Sequence, residues 1–205
     1  MKPEFWNKGK LYLSKKDKVL KSIIDSYPNE YLSININYFH CLLNSIIGQQ
    51  ISVSAASAIK KRFFLLNKNI NPTSILKIKN QSLKKVGLSK QKILYIKNIA
   101  NFFIENKNFI KNIKRYEENI IKEKLISIKG VGEWTVNMFF IFALGKSNIL
   151  PKKDLGLLKA ISLNYKIKLP IKDNDLEKLF KKWTPYNTIA TWYLWRSLDP
   201  IPVIY

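Results

Sequence analysis

The chain has 205 residues, 46% of them hydrophobic, and a formal net charge of +22. That is enough for one core or for two small lobes sharing a cleft, and too apolar for a disordered tail. One cysteine, Cys41, and one histidine, His40, exclude an internal disulfide framework, a four-cysteine zinc or iron–sulfur site and a histidine-built metal centre. His40 sits in an apolar stretch and reads as a structural histidine.

The charge favours a polyanionic partner, either nucleic acid or a membrane surface. Arginine occurs only at Arg62, Arg115 and Arg196, so almost all of the basic residues are lysine. Lys, Asn and Ile share A/T-rich codons, and genome bias can supply much of this excess. The charge therefore permits nucleic acid without proving it. The N-terminal stretch has no continuous apolar core and no small-residue cleavage site, as a secretory signal would require. The longest apolar run, "VNMFFIFALG", is about half of the ~20 residues a membrane helix needs. A soluble intracellular monomer that does not engage a membrane is expected, cytoplasmic and nucleoid-associated if bacterial, with nucleus or organelle left open.

The periodicity is helical nearly throughout. "SKKDKVLKSIIDSY" (14–27) reads as a helix opened by Ser14, and "NYFHCLLNSIIG" (37–48) as an apolar helix ending at a Gly-Gln-Gln break. "SVSAASAIKKRFFLL" (52–66) is amphipathic and rich in small residues. Short helices follow at 73–79 and 80–86, then a long one at 89–106 capped by Ser89. Further helices are expected near 116–127, 133–144, 154–163, 173–182 and 186–198. Pro151, Pro170 and Pro185 fall between them. No strand alternation, repeat or Gly/Ser linker is evident. The expectation is an all-α fold of roughly ten helices, forming two closely packed lobes interleaved within one unit over 1–205.

Two local patterns carry chemistry. "LISIKGVGEWTV" (125–136) reads as helix end, tight turn and helix start. Glycine lets such a turn close, and it exposes amide donors at a helix N-terminus, where the dipole favours a phosphate. Lys129 stands beside it. An ordinary αα corner explains the same residues. "PKKDLGLLKAI" (151–161) places Asp154 behind two lysines and ahead of an apolar helix. It can be an N-cap, or an anchored ionised carboxylate facing a cationic transition state, or both.

Five segments, "SIIGQQISVSAASAI" (45–59), "VGLSKQKILYIKNIA" (86–100), "IKGVGEWTVNMFFIFALG" (128–145), "LPKKDLGLLKAI" (150–161) and "WTPYNTIATWYLWR" (183–196), together resemble the helix–hairpin–helix superfamily of DNA glycosylases. They are most similar to its DNA-3-methyladenine glycosylase II family, in a short form. The resemblance implies a DNA-binding cleft with Asp154 as the catalytic aspartate. It makes Lys129, Gly130, Val131 and Gly132 the DNA-backbone anchor, whose carbonyls can also hold a structural monovalent cation. Gln50 matches the wedge that fills the gap left by an extruded nucleotide, with Gln49 beside it. Trp134, Met138 and Trp195 are assigned to the base pocket.

Asn187 stands where the family pattern has an arginine, and Lys153 where it often has an aspartate. Bifunctional relatives carry a Schiff-base lysine two residues after the hairpin's second glycine, and here that residue is Trp134. The implied activity is monofunctional removal of alkylated purines such as 3-methyladenine from double-stranded DNA, in base excision repair, with no catalytic metal or organic cofactor. The alternatives are a non-catalytic helix–hairpin–helix DNA-binding module, or a glycosylase for oxidised or mismatched bases.

Overall fold

The computed structural model describes residues 1–199. These form thirteen α-helices and one 3-10 turn, with no strand among the described residues. The all-α expectation holds, with more helices than the roughly ten expected. Residues 200–205, which belong to the expected single unit, lie outside the described part.

The chain divides into two compact units. The first comprises Met1–Asn35 and the described part of Phe140–Ile204, and the second Ile36–Phe139. The first contains α1 (Trp6–Lys16), α2 (Lys18–Ser26), α11 (Leu155–Tyr165), α12 (Asp173–Trp183) and α13 (Asn187–Arg196). Its centre is α13, where every residue except Trp195 is buried. It buries the polar side chains of Asn187, Thr188, Thr191 and Arg196 along with its apolar ones, and it packs against α1, α2, α11 and α12.

The second unit contains α3 (Tyr38–Gly48), α4 (Val53–Phe64), α5 (Pro72–Lys77), α6 (Asn80–Lys85), α7 (Lys90–Glu105), α8 (Lys107–Lys111) and α9 (Glu118–Ile126). It is built on α3, buried from Cys41 to Ile47, and on α7, which packs against α3, α5, α6 and α8. The chain passes from the second unit back into the first within α10 (Glu133–Phe142).

Side-chain caps set the helix starts. Asn37 accepts from His40 N–H, Ser52 from Ala55 N–H and Ser89 from Lys92 N–H. One expected start was misplaced. Ser14 lies inside α1, and the break comes at Asp17, whose carboxylate accepts from Val19 and Leu20 N–H and opens α2. Between 107 and 115 the structure adds α8 and the 3-10 turn Ile113–Arg115, which periodicity is too short to reveal.

His40 is structural, its Nε2 bonding the Ile70 carbonyl at 2.7 Å and its ring lying 5.0 Å from Phe64. Cys41 is buried, and burial pushes its thiol pKa up to about 12. No helix among the described residues is long and apolar enough to cross a membrane.

Candidate active site

The hairpin lies between α9 and α10 in the second unit. Ile128 and Val131 are buried, and Val131 N–H donates to the Ile128 carbonyl at 2.9 Å, closing the turn. Gly130 has φ +104°, and a Cβ there would lie 2.1 Å from Cγ of Tyr95. The apex therefore rests on the Tyr95 ring, and only glycine fits. Gly132 differs. It is exposed, its φ is not positive, and a built Cβ meets nothing within 4 Å. Nothing within the protein requires glycine at 132.

Lys129 is exposed, while its carbonyl accepts from Asn98 Nδ2 at 3.2 Å.

The Gln-Gln loop follows α3. Lys92 Nζ donates to the carbonyls of Ile47 (2.8 Å) and Gln49 (2.9 Å), placing a cation on the negative end of α3. Burial lowers the Lys92 pKa from its ordinary value. Gln50 is exposed and left-handed at φ +57°, a conformation that costs a non-glycine residue about 1–3 kcal/mol. The expected wedge residue therefore points outward. Its neighbour does not: Gln49 Nε2 donates to the Gly130 carbonyl at 3.3 Å and to Thr135 Oγ1 at 3.1 Å.

Asp154 lies in the first unit as the N-cap of α11. Its Oδ1 accepts from Leu157 N–H at 2.7 Å and from Trp195 Nε1 at 2.8 Å. One oxygen thus takes both the cap amide and the indole. The cap holds the carboxylate at the positive end of α11, and the indole fixes its direction. Trp195 stacks on Phe142 at 6.1 Å and 10°. Gly156 leaves room for the pair, since a Cβ there would lie 3.2 Å from Asp154 Oδ1 and 3.5 Å from the Trp195 ring. Lys152 and Lys153 are exposed beside them, as is Leu155 at 81%.

Asn187 is buried. Its Nδ2 donates to Asn148 Oδ1 and Thr184 Oγ1, and the adjacent Thr188 hydroxyl donates to the Lys146 carbonyl. The departure at 187 is thus an internal stitch between the start of α13 and the loop leading to Asp154. Trp134 is half-buried in the second unit, whereas Met138 is 1% exposed and is a core side chain. Lys92, Tyr95, Asn98 and Thr135 were not singled out from sequence. Their signal is weak, because a polar row on an amphipathic helix looks like any solvated face. Among the described residues no three His, Cys, Asp or Glu side chains gather as metal ligands.

An all-α chain with a glycine hairpin at a helix start and a capped, indole-held aspartate belongs to the class of helix–hairpin–helix DNA-acting proteins. The family described as HhH-GPD superfamily base excision DNA repair protein matches residues 43–191, and the chain is a member of that superfamily.

DNA-3-methyladenine glycosylase 1 of Schizosaccharomyces pombe is 30% identical over 199 residues, covering 93% of this chain and 86% of its own. A Bacillus subtilis relative, provisionally named as a DNA-3-methyladenine glycosylase, is 30% identical over 189 residues. That match covers 88% of this chain and 66% of the relative, so the chain spans just under two thirds of that protein's length. The solved structure of the S. pombe 3-methyladenine DNA glycosylase Mag1 in complex with abasic DNA superposes with a TM-score of 0.81 at 27% identity, covering 93% of this chain and 96% of Mag1.

Proposed function

We propose that this chain is a monofunctional DNA glycosylase that removes alkylated purines, such as 3-methyladenine, from double-stranded DNA. The observation that carries the reading is the Asp154 carboxylate, held at the N-terminus of α11 by the Leu157 amide and the Trp195 indole. The names of its relatives support the substrate class.

A base inside a duplex is out of reach, so its nucleotide is first extruded, at a cost of a few kcal/mol that is least for a damaged base. The hairpin and exposed lysines hold phosphates, and Gln50 occupies the vacated stack. A purine alkylated on a ring nitrogen is cationic. It stacks on an indole, either Trp195 beside Asp154 or Trp134 after the hairpin, with about 0.5–2 kcal/mol of cation–π attraction. When the C1′–N bond breaks, both electrons leave with the base and neutralise it. The positive charge passes to the sugar, where the Asp154 carboxylate stabilises it. Water adds at C1′ and loses its proton to Asp154 or to solvent. The products are the free base and an abasic site. A cationic base is already a good leaving group, so the step needs no general acid.

Trp134 stands two residues after Gly132, and an indole nitrogen cannot attack C1′ as a lysine amine does. Hydrolysis without strand cleavage follows. Incubation with N-methylated duplex should release methylated purines and leave an alkali-labile but uncut strand. Release of no base from duplex that the protein binds would favour a non-catalytic DNA-binding module. A borohydride-trapped protein–DNA adduct would remove the monofunctional assignment.

A further inference from the structure

We propose that Gln49 is a positioning residue that ties the Gln50 loop to the hairpin, so that both are carried on one frame built from α7. The proposal rests on the reading of these two segments as DNA-facing.

Both N–H groups of the Gln49 amide are committed inside the second unit. One donates to the Gly130 carbonyl, at the apex of the hairpin, and one to Thr135 Oγ1, in the first turn of α10. Thr135 is 1% exposed, so this hydroxyl is an interior anchor and not a surface contact. The backbone of Gln49 is held from the other side by Lys92.

Lys92 is one of three residues at intervals of three along α7. Lys92 grips the Ile47 and Gln49 carbonyls, the Tyr95 ring lies under Gly130, and Asn98 holds the Lys129 carbonyl. Residues at this spacing form one row along a helix. The row therefore fastens the Gln-Gln loop at one end and the hairpin at the other, and Gln49 joins the two directly. Gln50 is left-handed and exposed, where Gln49 is tied inward. A wedge and a phosphate anchor must act at a fixed spacing along one duplex. The brace keeps that spacing before DNA arrives, which lowers the ordering cost of binding. Gln49 thus acts through its neighbours, and Gln50 by contact.

The test uses the full chain. Gln49→Leu keeps the bulk and removes both donors. Hydrogen exchange of residues 128–133, read by mass spectrometry in DNA-free protein, should accelerate about tenfold, with α7 unchanged. Thr135→Val strips one interior partner; it should give the same change at smaller size, and it stands in if Gln49→Leu does not fold. Binding is then measured to an undamaged duplex and to one carrying a tetrahydrofuran abasic analogue. Gln49→Leu should weaken both by a similar factor, about five- to tenfold, because the hairpin holds phosphates in either. Gln50→Ala should weaken the abasic duplex alone.

Unchanged exchange overturns the brace. So does loss of abasic-duplex binding alone with exchange unchanged, which would make Gln49 a direct DNA contact. Accelerated exchange with unaltered binding to both duplexes would uphold the brace and sink the hairpin's role as DNA anchor.

Discussion

The two hairpin glycines have separate roles that sequence alone leaves merged. Gly130 is required by the fold, through its positive φ and the Tyr95 ring beneath it, whereas Gly132 meets nothing within the protein. Gly130→Ala should therefore lower the melting temperature by several degrees, from strain of about 1–3 kcal/mol plus the clash. Gly132→Ala should melt like wild type yet bind duplex DNA several-fold more weakly, because a methyl there obstructs only what approaches from outside. Equal affinity in a folded Gly132→Ala would reduce the hairpin to a structural corner.

At Asp154, Trp195→Phe keeps a ring against Phe142 and Gly156 but removes the donor. A hydrogen bond to a charged group is worth about 1.5–3 kcal/mol. Single-turnover base release should fall about tenfold or more, with duplex affinity nearly unchanged. An unaltered rate would leave the indole as a pocket wall with no hold on the acid. The sequence shows Asp154 as a cap or as an acid. It cannot show that one oxygen takes both the Leu157 amide and the Trp195 indole, because Trp195 comes 41 residues later on another helix.

Among the elements, the junction of α1 and α2 shows what periodicity does and does not reveal. Periodicity takes Ser14 of "SKKDK" as the cap, whereas the structure uses Asp17, which its tertiary partners select. Asp17 is 1% exposed, and besides two amides its carboxylate takes the Tyr165 hydroxyl (3.0 Å), the Trp183 indole (3.1 Å) and Lys182 Nζ (3.0 Å). These tie α2 to α11 and α12. Desolvation alone would raise the Asp17 pKa, but the hydrogen bonds from Lys182, Leu20, Trp183 and Tyr165 outweigh it, and the value is lowered.

A depressed carboxyl pKa stabilises the fold above the unfolded value, near ~3.9, and that stability is lost as pH falls through the folded value. Asp17→Asn should cost about 2–4 kcal/mol near neutrality. The gap in melting temperature between variant and wild type should narrow as pH drops below about 4. A pH-independent gap would mean that the site contributes shape and not charge. The helices with local caps, α3, α4 and α7, were legible because their caps and periodicity lie in one short window. The polar row Lys92–Tyr95–Asn98 was not, since its partners lie in two other segments.

For the molecule as a whole, the charge of +22 can now be divided by residue type. Arg196 is buried, paired with both Glu30 carboxylate oxygens and lying 4.3 Å from the Tyr27 ring, and Arg62 donates to the Val86 carbonyl. At least two of the three arginines thus have internal partners, and the positive field that meets a phosphate backbone is carried by lysine. Lysine acts as a point charge without a bidentate fork, which suits binding that is strong in phosphate contacts and indifferent to sequence.

On the proposed function, discrimination comes from the extruded base, with the Asp154 carboxylate acting on its sugar. Asp154→Asn tests this most directly. Asparagine caps a helix as well as aspartate does, so the variant should melt within a few degrees of wild type. It should bind a duplex with a tetrahydrofuran abasic analogue within a few-fold of wild type. Release of methylated purines under single-turnover conditions should fall by about 10²–10³-fold or more, the loss expected when a preorganised group stabilising transition-state charge is removed. A folded Asp154→Asn that releases base at near wild-type rate would contradict the account and return Asp154 to being a cap alone.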